Sequence, residues 1–408
     1  MLNILWAAFF VVSFLYIVFQ SAVMGQPGLW DDAVNAVFSS AENAFNIAIG
    51  LTGMLCLWLG LLKIADKSGL TALLAKALRP LFAKIMPEVP ADSPAMGSMI
   101  MNMAANMLGL DNAATPFGLK AMEQLQNLNP HKAKASNAQI LFMVINASAV
   151  TLIPVSILMY RARFGSANPA AVFMPILFAT SVSTLVGFLS VALVQRLNIF
   201  NRVVAAYLGA GILIIGSLAW YFQSLPPELR LEAAGHFGNC IILSAIALFI
   251  AFGLVKKINV YETFIEGAKE GFDVAVRIIP YLVAMLAAIA LLRASGLLDM
   301  IVSGLEHVFV LLGIDTGFVP ALPTAMMKPL SGNAARSMML ETYAAHGVDS
   351  FPSFVASVIQ GSTETTFYVL AVYFGVVRIT KVGAALPCAL LADLAGIVAA
   401  VYLSYLFY

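Results

Sequence analysis

The chain has 408 residues, of which 61% are hydrophobic and only 11% are charged, and its 22 Lys and Arg residues nearly balance 21 Asp and Glu residues. Soluble domains carry about 25% charged residues, so this composition excludes a water-soluble protein, and the neutral balance excludes a basic nucleic-acid-binding surface. Three scattered cysteines and four scattered histidines favour neither a disulfide framework nor a metal site. Because the apolar stretches approach 20 residues, the sequence predicts membrane-spanning helices rather than the strands of a membrane barrel.

Nine apolar stretches are predicted to cross the bilayer as helices, because each approaches or exceeds the length that spans its hydrocarbon core. They lie near residues 2–23, 44–62, 138–160, 170–195, 203–223, 237–255, 278–295, 353–377 and 383–407. The first has no positively charged start, so we interpret it as a retained helix, with a cleaved signal peptide as the alternative. Two segments, 71–86 and 260–277, interleave charged with apolar residues, which predicts helices lying along the membrane interface.

Two further segments, residues 93–127 and 317–345, each contain two short apolar pieces interrupted by polar residues. This pattern predicts re-entrant helical hairpins, which enter the bilayer and return to the same side. Lys and Arg concentrate in cytoplasmic connections, and placing the amino terminus inside leaves only four of them outside: Arg161, Arg163, Arg230 and Arg293. We therefore expect a multi-pass protein of the bacterial cytoplasmic (inner) membrane, with its amino terminus in the cytoplasm and its carboxyl terminus outside.

The two halves of the chain resemble each other at three places, which occur in the same order. Ser68-Gly69-Leu70 corresponds to Ser295-Gly296-Leu297, Asp111–Ala114 to Gly332–Ala335, and Ile145–Thr151 to Ile359–Thr365. These matches predict a first repeat at 1–202, a linking transmembrane helix at 203–223 and a second repeat at 224–408. Because one extra crossing makes the second copy enter from the other side, the predicted fold is an all-α polytopic membrane protein with two inverted-topology repeats. Each repeat contains transmembrane helices, an interfacial amphipathic helix and a re-entrant hairpin, as in many secondary transporters.

The first predicted hairpin concentrates polar residues at membrane depth. Asn102, Asn106, Asp111, Asn112 and Thr115 lie within 14 residues of sequence. Irregular backbone survives in hydrocarbon only where it is buried in protein or lines a wet cavity, and an acid such as Asp111 is a candidate functional group there. The alternative is that the amides only bond neighbouring helices to each other, as polar residues do in membrane bundles.

The second hairpin and two of the apolar stretches carry the other candidate residues for binding a substrate or an ion. They are Lys328, Ser331, Asn333 and Arg336 in the hairpin, Gln360, Ser362, Thr363, Glu364, Thr365 and Thr366 in the stretch near 353–377, and Asn146, Ser148 and Thr151 in its counterpart. Ser331 is expected to cap the helix that follows the break at Pro329–Gly332. Glu364 is costly in hydrocarbon, so it either forms a structural ion pair with Lys328 or Arg336, or acts as a proton carrier or substrate ligand.

At these residues the chain resembles a known family, the spore maturation proteins A and B, here fused, with a nucleoside-recognition or Gate domain in each half. The similarity rests on Asn106–Pro116, Lys328–Gly332, Gln360–Tyr368 and Val372–Gly375. It covers nearly the whole chain, A-like to about residue 200 and B-like from about residue 260. The resemblance implies a relation to concentrative nucleoside transporters and to the membrane part of ferrous-iron transporters. It also implies a role of some members in spore core dehydration, but it does not identify a transported substance.

Transport is the function that these features predict. The chain is interpreted as a secondary-active carrier of a small polar solute, such as a nucleoside, nucleobase or amino acid, that works by alternating access at a midplane site formed by two hairpins and two broken helices. The alternative is a non-transporting assembly or scaffold factor for envelope or sporulation processes. No enzyme activity, metal or cofactor is expected, apart from Na⁺ or H⁺ as a coupling ion. The expected partners are a small-molecule substrate and the lipid bilayer, without nucleic acid, and a homo-oligomer is left open.

Overall fold

A computed structural model describes residues 2–24, 28–108, 111–148 and 150–408 of the chain, and it leaves out the side chains of a few of these, among them Asp111 and Asn112. The described part is helical, with one isolated bridge between Lys134 and Lys381 outside the helices. Among the described residues, seven helices are long and apolar enough to cross a membrane. The protein is therefore an all-α, multi-pass membrane protein.

Seventeen α-helices follow one another along the described chain. The first eight are α1 Leu2–Met24, α2 Leu29–Lys67, α3 Leu70–Ile85, α4 Pro94–Met107, α5 Asp111–Leu128, α6 Asn137–Ala147, α7 Val155–Arg163 and α8 Phe173–Gln195. Two more, α9 Arg202–Ser224 and α10 Pro227–Val255, lead to the last seven. These are α11 Val260–Ala294, α12 Leu297–Leu311, α13 Leu322–Met327, α14 Gly332–His346, α15 Phe351–Ser362, α16 Thr366–Val376 and α17 Ala385–Phe407.

The helices from α2 to α8 and from α11 to α17 occur in the same order. Each series begins with a helix of at least 35 residues, followed by an amphipathic helix, four short helices and one helix of 23 residues. Gly69 and Gly296 have left-handed φ values of 86° and 79° and precede the amphipathic helix of each series. Left-handed backbone suits glycine, which has no Cβ to clash, so the matching Ser-Gly-Leu sequences mark matching turns.

The two long helices, α2 and α11, pack against each other over much of their length. Gly60 lies against the ring of Phe264, while Gly271 lies against the backbone of Cys56, so the two helices run antiparallel. Small residues allow such close approach of helix backbones in membranes. At one end of the pair, Lys63 Nζ lies 2.6 Å from Glu270 Oε1.

The closing helices of the two series, α8 and α17, are also antiparallel neighbours. Ser183 Oγ donates a hydrogen bond of 3.0 Å to the carbonyl oxygen of Ala392. Further along, the rings of Phe178 and Phe407 lie 5.9 Å apart between centroids. Residue numbers rise on one helix while they fall on the other, so α8 and α17 run in opposite directions.

The segment 260–277 differs from its prediction as a separate interfacial helix. It is the first half of α11, which continues without interruption from Val260 to Ala294 and contains Pro280. Two of the acidic residues that suggested an interface, Glu266 and Glu270, pair with Lys63 and Lys67 of α2. At 35 residues and 1.5 Å per residue, α11 is about 52 Å long, so its polar end extends beyond a hydrocarbon core of about 30 Å.

Two of the nine predicted crossings, 138–160 and 353–377, are interrupted. The first is divided into α6 and α7 and the second into α15 and α16. The two predicted hairpin segments are each divided into two short helices, α4 with α5 and α13 with α14, and the partners in each pair are in contact.

Loops from the two halves meet near both ends of α17. Before its start, the backbone NH of Lys381 donates to the carbonyl of Ala133 at 3.0 Å. Near its end, the buried guanidinium of Arg161 reaches Asp349 Oδ1 at 2.8 Å, and the hydroxyl of Tyr408 donates to the carbonyl of Asp349 at 2.9 Å. This ion pair, between buried Arg161 and exposed Asp349, holds α7 of the first series to the loop before α15 of the second.

Substituting Gly271 tests the close packing of α2 on α11. A Cβ at this position would lie 2.6 Å from the backbone nitrogen of Cys56, so Gly271→Ala forces the helices apart. We expect a destabilisation of about 1–3 kcal/mol, typical of overpacking, seen as a lower thermal unfolding midpoint in detergent. Gly209→Ala in α9 is the control, because a Cβ there has no atom within 4 Å. Equal midpoints for the two variants would contradict the packing described.

Candidate functional site

The two interrupted helices contact each other where each is broken. The first helix of one pair, α6, ends at Ala147, and the first helix of the other, α15, ends at Ser362. The backbone NH of Glu364, just beyond α15, donates a hydrogen bond of 2.9 Å to the carbonyl of Ala147. Backbone groups released by each interruption thus find partners on the opposite half of the protein, as burial away from water requires.

Each broken helix also bonds to the pair of short helices that precedes it in its own half. The backbone NH of Leu152 donates to the carbonyl of Met107 at the end of α4, at 3.0 Å. The backbone NH of Phe367 donates to the carbonyl of Pro329, between α13 and α14, also at 3.0 Å. Four chain interruptions are therefore gathered in one region.

Ser331 caps α14 as the sequence predicts. Its hydroxyl oxygen accepts a hydrogen bond of 3.2 Å from the backbone NH of Ala334. The next residue, Gly332, lies close to Thr365, and its carbonyl accepts a hydrogen bond of 3.4 Å from Gln360 Nε2. The start of α14, which carries a partial positive charge, is thus fixed against the second broken helix.

A cavity of about 200 Å³ lies among these interruptions. One wall is apolar and includes Trp58 and Leu59 of α2 and Met159 of α7. The other walls are polar and carry eight of the predicted site residues: Asn106, Thr151, Lys328, Arg336, Gln360, Thr363, Glu364 and Thr365. A concave site with apolar walls and a few convergent polar groups is the usual form of a small-molecule site.

The charged side chains of the cavity are two cations and one acid. The Arg336 guanidinium lies over the ring of Tyr160 at 5.5 Å and donates to Asn333 Oδ1 at 3.4 Å. Within the described part of the chain, no ion pair joins Arg336 to Glu364, although both line the cavity. Lys328 is buried and Glu364 is exposed. The arrangement can bind an acceptor group of a solute at Arg336 and a donor group at Glu364.

Behind the cavity, three asparagines and a tyrosine form a hydrogen-bonded network. Asn106 Nδ2 donates to Asn146 Oδ1 at 2.8 Å, and Asn102 Nδ2 donates to the carbonyl of Ala114 at 2.7 Å. The hydroxyl of Tyr373, from α16, accepts from Asn102 at 3.2 Å and donates to Asn146 at 3.3 Å. Asn102 and Asn146 thus bond helix to helix, while Asn106 also reaches the cavity.

The remaining predicted site residues whose side chains the structure describes lie outside the cavity lining. The hydroxyls of Ser148 and Ser362 are buried and donate to carbonyls of their own helices, Val144 at 2.9 Å and Ile359 at 2.8 Å. Thr115 is half-buried on α5, and Thr366 is buried at the start of α16. The side chains of Asp111 and Asn112 are outside the described part of the structure.

Two residues beside the cavity were missed by the sequence analysis. One is Tyr373, whose hydroxyl links the two halves through its hydrogen bonds to Asn102 and Asn146. Its ring stacks on that of Phe142, with 5.6 Å between the ring centroids. The other is Asp393, an acid in the 23-residue apolar helix α17 with only 1% of its surface exposed. A single carboxylate at membrane depth is the signal that identifies a candidate functional residue, and it was available in the sequence of α17.

Gly118 provides a test of the network around Tyr373. A Cβ at Gly118 would collide with the Tyr373 hydroxyl and lie 2.9 Å from Asn102 Nδ2. We expect Gly118→Ala to lower the free energy of unfolding by about 1–3 kcal/mol, and Tyr373→Phe to recover part of that loss when the two are combined in a double-mutant cycle. Gly97→Ala in α4, with no atom within 4 Å of the added Cβ, serves as the control. Strict additivity of the two changes would rule out the contact.

Comparison with known proteins identifies relatives for both halves of the architecture. Residues 48–167 and 275–380 match a family described as "Gate: Nucleoside recognition". The chain is 39% identical over 183 residues to spore maturation protein A of Bacillus subtilis (strain 168), which is 45% of this chain and 90% of that protein. It is 48% identical over 167 residues to spore maturation protein B of the same organism, which is 40% of this chain and 92% of that protein. No solved structure matches the chain significantly.

The two matched segments contain the elements that build the site. The first runs from within α2 past the end of α7, and the second runs from within α11 past the end of α16. Together they make up more than half of the chain, and at least 90% of each relative is covered. The chain therefore belongs to the Gate nucleoside-recognition family, in the group of the spore maturation proteins A and B.

Proposed function

We propose that the protein is a secondary-active transporter of a small polar solute that binds in the cavity between the two halves. The observation that carries this proposal is the convergence of four chain interruptions around one cavity that contains Lys328, Arg336 and Glu364. Discontinuous helices at the interface of two repeats form the substrate sites of many secondary transporters. A merely structural bundle has no need to interrupt four segments in the same place.

Inverted topology of the two halves supports alternating access. The antiparallel packing of α2 on α11 and of α8 on α17 is the arrangement expected if a two-fold axis in the membrane plane relates repeats at 1–202 and 224–408. In this proposal the pairs α4–α5 and α13–α14 are re-entrant hairpins that enter from opposite sides. Rocking of one repeat against the other then exposes the cavity to each side in turn.

The loop contacts support the proposed orientation in the bacterial inner membrane. Lys132, Lys134, Arg378 and Lys381 lie on or beside the two loops that meet before α17. Arg230 donates to the carbonyl of Leu406, near the other end of α17, where Arg161 pairs with Asp349. Concentration of Lys and Arg in cytoplasmic loops then places the first cluster and the amino terminus inside, and the carboxyl terminus outside.

The lining of the cavity restricts the class of solute. Two cations and one acid favour a compound that presents an anionic or acceptor group together with a hydrogen-bond donor, as amino acids, nucleobases and nucleosides do. The family description mentions nucleoside recognition, and nucleosides are one of these three classes of compound. A fold does not by itself identify a substrate, so the charged lining is the stronger guide.

A second function, a non-transporting assembly factor, is favoured by the names of the relatives, which are spore maturation proteins. An assembly factor needs a surface for its partner, whereas a carrier needs a polar cavity that its solute can fill. The cavity is the feature that the assembly proposal does not require. Solute uptake by the purified protein in liposomes distinguishes the two proposals.

Glu364→Gln is the substitution that tests the carrier proposal. Solutes are first identified as compounds that raise the thermal unfolding midpoint of the purified protein, because a ligand of the folded state stabilises it. We expect Glu364→Gln to reduce uptake of such a solute into proteoliposomes at least tenfold, because the amide cannot carry a proton or a negative charge. The unfolding midpoint of the variant without ligand is expected to remain close to that of the wild type.

Asp299→Asn is the matched control, since Asp299 is exposed on α12, away from the cavity. Wild-type uptake by Glu364→Gln would remove Glu364 from the mechanism. Loss of folded protein in this variant, with Asp299→Asn intact, would assign Glu364 to a structural ion pair instead.

A further inference from the structure

We propose that Asp393, Thr363 and Thr366 form the binding site for the monovalent cation, Na⁺ or H⁺, that drives transport. The inference rests on the proposed carrier function, but it concerns a second site, behind the wall of the solute cavity. The evidence is a group of three buried polar side chains, one on α17 and two at the break between α15 and α16.

The carboxylate of Asp393 is buried together with two threonine hydroxyls. Asp393, Thr363 and Thr366 are 1%, 4% and 0% exposed. Both threonine hydroxyls lie next to the carboxylate, yet among the described residues no hydrogen bond of acceptable geometry is made by either hydroxyl or by either carboxylate oxygen. Burial of an ionised carboxylate is costly, and a bound proton or metal cation lowers that cost.

The backbone brings the three side chains together and places the carboxyl end of α15 next to Thr363. Gly396, one turn after Asp393, allows Thr363 to approach α17: a Cβ at Gly396 would lie 2.6 Å from Thr363 Cγ2. The chain leaves α15 at Ser362, immediately before Thr363, so the last carbonyls of α15 and its negative dipole end are adjacent. Carboxylate, hydroxyl and unwound-helix carbonyl oxygens are the ligands that coupling cations use in transporters of this architecture.

The proposed cation site interacts electrostatically with the solute cavity. The charges that act on Asp393 are those of Lys328 and Glu364, and both side chains line the cavity. The helices α6, α8 and α15, which pack against α17, carry no titratable side chain, while α16 contributes Tyr368 and Tyr373. The helix α10 also packs against α17, and its titratable residues all lie in its first half: Glu228, Arg230, Glu232, His236 and Cys240. Of these, Arg230 donates to the carbonyl of Leu406 near the far end of α17. Neutralising Asp393 therefore changes the balance of charge felt by a solute beside Lys328 and Glu364.

The test is cation binding by the full-length protein in lipid nanodiscs. In the Na⁺ arm, NaCl replaces choline chloride at constant ionic strength, and binding is followed by calorimetry and by the thermal unfolding midpoint. In the H⁺ arm, infrared difference spectra follow the protonated carboxyl band as the pH changes. We expect a response in one arm, and we expect Asp393→Asn to abolish it while the unfolding midpoint without Na⁺ is maintained or raised. No response of the wild type in either arm would overturn the proposal.

Threonine variants keep the test decisive if Asp393→Asn does not fold. Thr363→Val and Thr366→Val preserve shape and remove only the hydroxyls, and each is expected to weaken Na⁺ binding, or to shift the carboxyl titration, by at least tenfold. Ser404→Ala is the control, because Ser404 lies on the same helix and its hydroxyl donates to Ala400 at 2.7 Å, away from the site. Threonine variants indistinguishable from this control would contradict the assignment.

Transport measurements separate this inference from the carrier proposal. Cation binding that depends on Asp393, in a protein that moves no solute, would support the site and refute the carrier. Conversely, uptake with unchanged dependence on Na⁺ and pH in Asp393→Asn would refute the site and leave the carrier proposal intact.

Discussion

The structure depends on one constraint: backbone NH and carbonyl groups cannot remain unpaired in hydrocarbon. Each interruption of a helix therefore needs a partner, and here the interruptions supply partners for one another. Glu364 bonds to Ala147 across the two halves, and Phe367 bonds to Pro329 within the second half. The irregular segments must consequently lie together, and their polar side chains are brought to one place as a result.

Close packing around this centre holds the two halves in a definite relation. The long helices α2 and α11 approach so closely that Gly271 faces the backbone of Cys56, and Gly396 of α17 admits the side chain of Thr363. Glycine makes these approaches feasible, since a side chain at either position would push the helices apart. Buried Arg161, paired with Asp349, joins the halves at a loop. Packing and ion pairing together thus fix the geometry of the cavity.

Charge distinguishes the centre of the protein from an inert bundle. Lys328, Arg336 and Glu364 line the cavity. Asp393 lies behind the cavity wall, where it interacts electrostatically with Lys328 and Glu364. Buried charges in a membrane are expensive and usually serve an ion or substrate pathway. In the proposed mechanism, the solute binds in the cavity and the coupling cation binds at Asp393.

The sequence alone determined the features that depend on local pattern. Apolar stretches indicated spanning helices, Ser331 was recognised as a helix cap, and the matching Ser-Gly-Leu turns and polar breaks indicated two related halves. It predicted 260–277 as a separate helix, because the local pattern does not reveal that Glu266 and Glu270 pair with Lys63 and Lys67, about 200 residues away. It also could not separate Asn106, which lines the cavity, from Asn102, which bonds to Tyr373 of the other half. Only the tertiary structure decided these matters, because the partner of a buried polar group is set by packing between distant segments, whereas composition and periodicity report only the neighbours along the chain.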